Sequence, residues 1–87
     1  MNDMHFVGKI IKAGFHPGDE KTESFIQLRI IIDVVEEILV EEHGSAAALA
    51  EKFKLNDQSP EQWPGLLVGS KCNIVRNAAG FHFISMI

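Results

Sequence analysis

The sequence predicts a mainly β protein, a small and partly open five-stranded barrel with one helix between strands 3 and 4. Three observations carry this expectation. Apolar residues alternate through 24–35 at the period of a half-buried strand. Two β-favouring runs, 70–76 and 81–87, flank Asn77-Ala78-Ala79-Gly80, a short connection suited to a hairpin. One alanine-rich stretch, 45–54, carries helical spacing. At 87 residues the chain has room for one core and so for a single domain, 1–87. A second arrangement stays open, an α+β fold with a four-stranded antiparallel sheet and two helices. The choice turns on 33–43.

The first strand is read at 5–15, where β-branched and aromatic residues dominate and Gly8 marks a bulge or a close backbone approach. His16-Pro17-Gly18-Asp19-Glu20-Lys21 reads as a loop around a Pro-Gly turn. In the second strand Ile26, Leu28, Ile30, Ile32 and Val34 form a core stripe, and Phe25, Gln27, Arg29, Ile31, Asp33 and Val35 form the opposite, mixed face. The segment 33–43 reads two ways. As a helix it is capped by Asp33 with Glu36 three residues on, buries Ile31, Val34, Val35, Ile38 and Leu39, and closes at Gly44. As a strand it is favoured by Ile38-Leu39-Val40, although no Gly, Pro or Asn marks the hairpin before it. The strand is the reading adopted.

For the helix, Ser45 is the expected N-cap, and Ala46, Leu49, Ala50 and Phe53 the buried stripe. Ser59-Pro60-Glu61-Gln62 reads as a helix start, with Ser59 as cap and Gln62 reaching back. Pro64-Gly65 is expected to stop it after one turn, and Trp63 to plug one end of the core. In the last strand Phe81 and Phe83 share the core face. His82, Ile84 and Met86 share the other. Both faces are mostly apolar, which predicts cover on both sides.

The formal net charge of −4 is unevenly spread. Residues 1–35 sum to −1, residues 36–62 to −5, and residues 63–87 hold Lys71 and Arg76 with no acid. The acidity thus belongs to the middle of the chain, and the strand-forming ends are left able to present a face that an anion can approach. With 46% apolar residues the chain is not of the disordered class. Cys72 has no partner, which excludes a disulfide scaffold and fits a reducing, cytoplasmic setting. The N-terminus lacks the basic and apolar regions of a secretory leader. No apolar run approaches the roughly 18–20 residues of a membrane span.

Several short segments resemble the OB-fold single-stranded nucleic-acid-binding proteins, including the phage-type ones. They are Gly8-Lys9-Ile10-Ile11-Lys12 on the first strand, Glu23-Ser24-Phe25-Ile26-Gln27-Leu28-Arg29 on the second, and Leu67-Val68-Gly69-Ser70-Lys71-Cys72-Asn73-Ile74 leading into the fourth. The element order points the same way. The resemblance implies a non-enzymatic binding module that contacts single-stranded nucleic acid weakly. Lys9, Lys12, Arg29, Lys71 and Arg76 would meet phosphates, Phe25 would stack on bases, and Gln27 would lie between them.

No catalytic residue is assigned, because the chain has no Gly-x-x-x-x-Gly-Lys, Gly-x-Ser-x-Gly or His-Glu-x-x-His. The acidic pairs Glu36-Glu37 and Glu41-Glu42 read as solvated edge. His5, His16, His43 and His82 are scattered, so no metal or cofactor is expected. Cys72 alternates with Ile74 and reads as a buried apolar residue. Phe25, Ile31, Leu39, Val75 and the last strand supply more apolar surface than a small barrel hides. That predicts a second role, in assembly as a homo-oligomer.

Overall fold

A computed structural model describes residues 3–33 and 36–87. Five strands, β1 (Met4–His16), β2 (Ser24–Ile32), β3 (Glu36–Gly44), β4 (Lys71–Asn77) and β5 (Gly80–Met86), form one antiparallel sheet in the order β3-β2-β1-β4-β5. The sheet curls into a half-barrel, so that β3 and β5 approach each other without joining as hydrogen-bonded neighbours. Helix α1 (Ala46–Lys52), a 3₁₀ turn (Pro60–Gln62) and helix α2 (Trp63–Leu67) lie between β3 and β4.

The predicted mainly β architecture is the one observed, and the four-stranded α+β alternative is excluded because 36–44 is a strand. The β2–β3 turn that carries no glycine is made by another route. Ile32 pairs with Glu36, and Asp33 takes a left-handed conformation at φ 55°, which a short polar side chain tolerates. Val34 and Val35, assigned from sequence to the two faces of this segment, lie outside the described residues.

β1 is long because it serves two partners. Its first half pairs with β4 from Met4↔Arg76 to Lys9↔Lys71, and its second half with β2 from Lys9↔Ile31 to His16↔Phe25. The ladders meet beside a register shift between Ile10 and Lys12, where Ile11 is the extra residue of a β-bulge. Gly8 marks the close approach that its sequence context suggested, while the bulge falls three residues later. A Cβ on Gly8 would stand 2.3 Å from Ile30 Cγ2. His16, read as loop, is the last residue of β1.

Inward residues of all five strands make the core. Ile10, Ile26, Leu28, Ile30, Ile32, Ile38, Val40, Cys72, Ile74 and Phe83 pack with Leu49, Ala50, Phe53 and Leu55, and with Trp63 and Leu67 of α2. No polar or charged side chain is buried among the described residues. In α1 the Ser45 Oγ accepts from Ala48 N–H at 3.1 Å, as the N-cap reading requires, but Ala46 is exposed and does not join the stripe.

The helical segment after Ser59 departs from expectation twice. Ser59 stands at the cap position without a side-chain bond, and the chain does not stop at Pro64-Gly65. It continues as α2, because Pro64 sits in the first turn, where a missing N–H leaves no intrahelical bond unmade. Trp63 is buried as predicted. It meets Phe15 edge-to-face at 4.9 Å and donates its indole N–H to the Gln58 carbonyl.

The last strand is covered on one side only. Phe83 is buried and stacks on Phe53 at 4.5 Å, whereas His82 and Ile84 are exposed. A register shift against β4 places Ile84 as an extra residue and returns Met86 to the core side, which breaks the predicted His82, Ile84, Met86 face. Burial pushes the Cys72 thiol up to about 11. Among the described residues no helix is long and apolar enough to cross a membrane.

Candidate nucleic-acid interface

The sheet face turned away from the core carries most of the residues singled out from sequence. In β2, Phe25, Gln27 and Arg29 alternate with the buried Ile26, Leu28 and Ile30 and therefore point outward. Opposite them on β1 stand His16, Gly14 and Lys12, and on β3 His43, Glu41 and Leu39. Three rungs cross the face: His16–Phe25–His43, Gly14–Gln27–Glu41 and Lys12–Arg29–Leu39.

Lys9 and Lys12 share this face only because of the bulge. Residues three apart on a regular strand point to opposite sides, and the extra residue Ile11 restores the parity. Lys71 pairs with Lys9 across the β1–β4 ladder, so the cations run from Arg29 and Lys12 through Lys9 to Lys71. The two ion pairs among the described residues, Glu41 with His43 and Glu42 with Lys52, use none of these cations.

Arg76 is not part of this run. It lies five residues beyond Lys71, an odd step that puts it on the side of β4 from which Cys72 and Ile74 face the core. Its guanidinium stands 5.5 Å from the centre of the Phe81 ring, at the far end of β4.

Phe25 is placed differently from the exposed stacking ring expected of it. His16 stacks on Phe25 at 4.5 Å with planes 14° apart, and His43 at 4.9 Å and 23°. An imidazole thus packs against Phe25 from each neighbouring strand, which leaves a base the ring edge and the outer surfaces of the two histidines. Glu41 organises the neighbouring rung. Its Oε1 lies 3.1 Å from His43 Nε2, and its Oε2 accepts from Gln27 Nε2 at 3.3 Å. Because a carboxylate only accepts, this bond engages the Gln27 amide nitrogen and leaves its carbonyl oxygen unused by Glu41.

Between these rungs lies a groove of about 300 Å³, lined by Lys12, Gly14, His16, Gln27, Arg29 and Leu39. Gly14, His16, Leu39, Glu41 and His43 were not singled out from sequence as site residues. Their places depend on the β1–β2 and β2–β3 registers, and the bulge and the glycine-free turn that set those registers carry no strong sequence signal. The chain matches no protein-family model, no curated protein and no solved structure.

Proposed function

We propose that the protein is a non-enzymatic, OB-like binding module that contacts single-stranded nucleic acid through the outer face of β1, β2 and β4. The observation that carries this reading is the run Arg29, Lys12, Lys9 and Lys71, free of ion pairs among the described residues, beside a groove edged by stacked aromatic rings. Cations that track a backbone next to flat ring surfaces are what a single strand needs, with no demand on sequence. The element order and the curled sheet support the OB-like comparison. The acids of β3 and the small number of cations make the binding weak. The ligand sits in a field that salt readily screens.

Anisotropy titration of a labelled single-stranded oligonucleotide at low salt tests the proposal. Affinity is expected to fall as salt rises, with about 0.7 of logarithmic slope for each phosphate neutralised. Lys12→Gln and Arg29→Gln should each flatten that slope by one such increment. Absence of binding at high micromolar protein overturns the reading.

A second reading, self-assembly into a homo-oligomer, is favoured by the contrast between the two sheet edges. β3 carries Glu36, Glu37, Glu41 and Glu42, whereas β5 carries no Lys, Arg, Asp, Glu or Pro and leaves Ile84 exposed. The two roles use different surfaces and are compatible.

A further inference from the structure

We infer that the groove over Gly14 is a pocket for one unstacked nucleobase of the bound strand, read at its edge by His16 and Gln27. This rests on the nucleic-acid reading above and adds a discrete subsite to it.

The gap exists because position 14 has no side chain. Lys12, Gly14 and His16 alternate on the outer face of β1, so Gly14 stands between two long side chains. Neither backbone nor packing requires the glycine. Its φ is not in the left-handed region, and a Cβ built there meets only His16 Nε2, at 3.4 Å. Gly8 on the same strand is the opposite case, since a core methyl fills the space of its Cβ. The empty place at position 14 is open to the outside, and the atom nearest to it is a hydrogen-bonding ring nitrogen.

The chemistry around the gap suits a base better than a bare anion. The β1 backbone lines it around Gly14, and Leu39 adds an apolar side chain. Such a mostly apolar bed with a few converging polar atoms is the usual form of a small organic-ligand site, and about 300 Å³ is at the small end of that range. His16 Nε2 and the Gln27 carbonyl oxygen, which Glu41 does not engage, then offer hydrogen-bonding partners to a base edge. Lys12 and Arg29 stand side by side on the next rung, where the phosphate of the same nucleotide would lie. Lys9 and Lys71 continue the cationic run away from the gap, which favours a strand over a free nucleotide.

The test uses the intact protein and three probes: a labelled single-stranded oligonucleotide, a fully abasic oligonucleotide of the same length and charge, and a free mononucleotide. Wild-type protein should bind the oligonucleotide about tenfold or more tightly than the abasic strand, the scale of one well-held base, and the mononucleotide more weakly than either. Gly14→Val fills the gap with a strand-favouring side chain, so its thermal midpoint should be preserved while its oligonucleotide affinity drops to that of the abasic strand. Equal binding of normal and abasic strands overturns the pocket and reassigns the groove to phosphate, with the nucleic-acid reading intact. Equal binding of mononucleotide and oligonucleotide overturns the assignment to a strand. Failure of wild-type protein to bind any oligonucleotide removes the underlying reading itself. Gly14→Val that folds and binds as wild type overturns the pocket.

Discussion

Two glycines six residues apart in sequence show how differently one residue type is used. At Gly8 the missing Cβ makes room for Ile30 Cγ2, 2.3 Å from where it would stand, with Ile32 Cγ2 next at 3.2 Å. Both neighbours are fully packed core residues that have no free direction to retreat. Gly8→Ala should therefore lower stability by about 1–3 kcal/mol, the usual cost of overfilling a core, as read by urea denaturation. At Gly14 the same change meets only the tip of an exposed imidazole and should leave the urea midpoint near that of wild type. At this scale the sequence was partly legible. Gly8 could be flagged because it interrupts a β-favouring run, and Phe25 could be placed on the outer face by alternation. That Phe25 lies between two histidines could not be read, since its contacts come from strands whose registers are set elsewhere.

The strands themselves were legible because their apolar periodicity is strong: the stripe Ile26, Leu28, Ile30 and Ile32 is buried throughout. What failed was local chemistry at element ends and irregularities. Asp33 turns the chain where glycine was sought, α2 runs through Pro64-Gly65, and the bulges at Ile11 and Ile84 change which residues share a face. A bulge is a decision of two strands about one extra residue, so a single strand's sequence scarcely records it. The edge strands carry a prediction at this scale. A second copy pairing with β5 would oppose no like charges, whereas pairing along β3 would bring its glutamates against one another. Light scattering should find an oligomer that Ile84→Lys reduces to monomer, with oligonucleotide binding retained. A monomeric wild type at working concentration counts against assembly.

For the whole molecule, one buried thiol ties stability to pH. Cys72 is fully enclosed, and burial pushes its thiol up from the ordinary 9.0 to about 11. A raised folded value means that the protonated thiol favours the folded state. This contribution is complete below the unfolded value and is lost as the pH rises from about 9 towards 11. The urea midpoint followed by circular dichroism should fall across that window, and more steeply in wild type than in Cys72→Ala. The overall acidity, in contrast, says little about the face proposed to bind. The strongly acidic segment 36–62 supplies β3 and the helical region, while Lys9, Lys12, Arg29 and Lys71 gather on one side of the sheet. Net charge caps the affinity expected of this face without setting its sign.

The lodging of Trp63 in the core has a spectroscopic consequence. The chain has one tryptophan and no tyrosine, so its intrinsic emission comes from a single indole. That indole is sealed between Phe15 and the helical segment, on the side of the sheet away from the outer rungs. A ligand arriving at those rungs should leave the emission maximum where it is. Loss of the core should shift it to the red in one step. The protein thus carries its own gauge of folding, one that stays silent while the outer face is titrated.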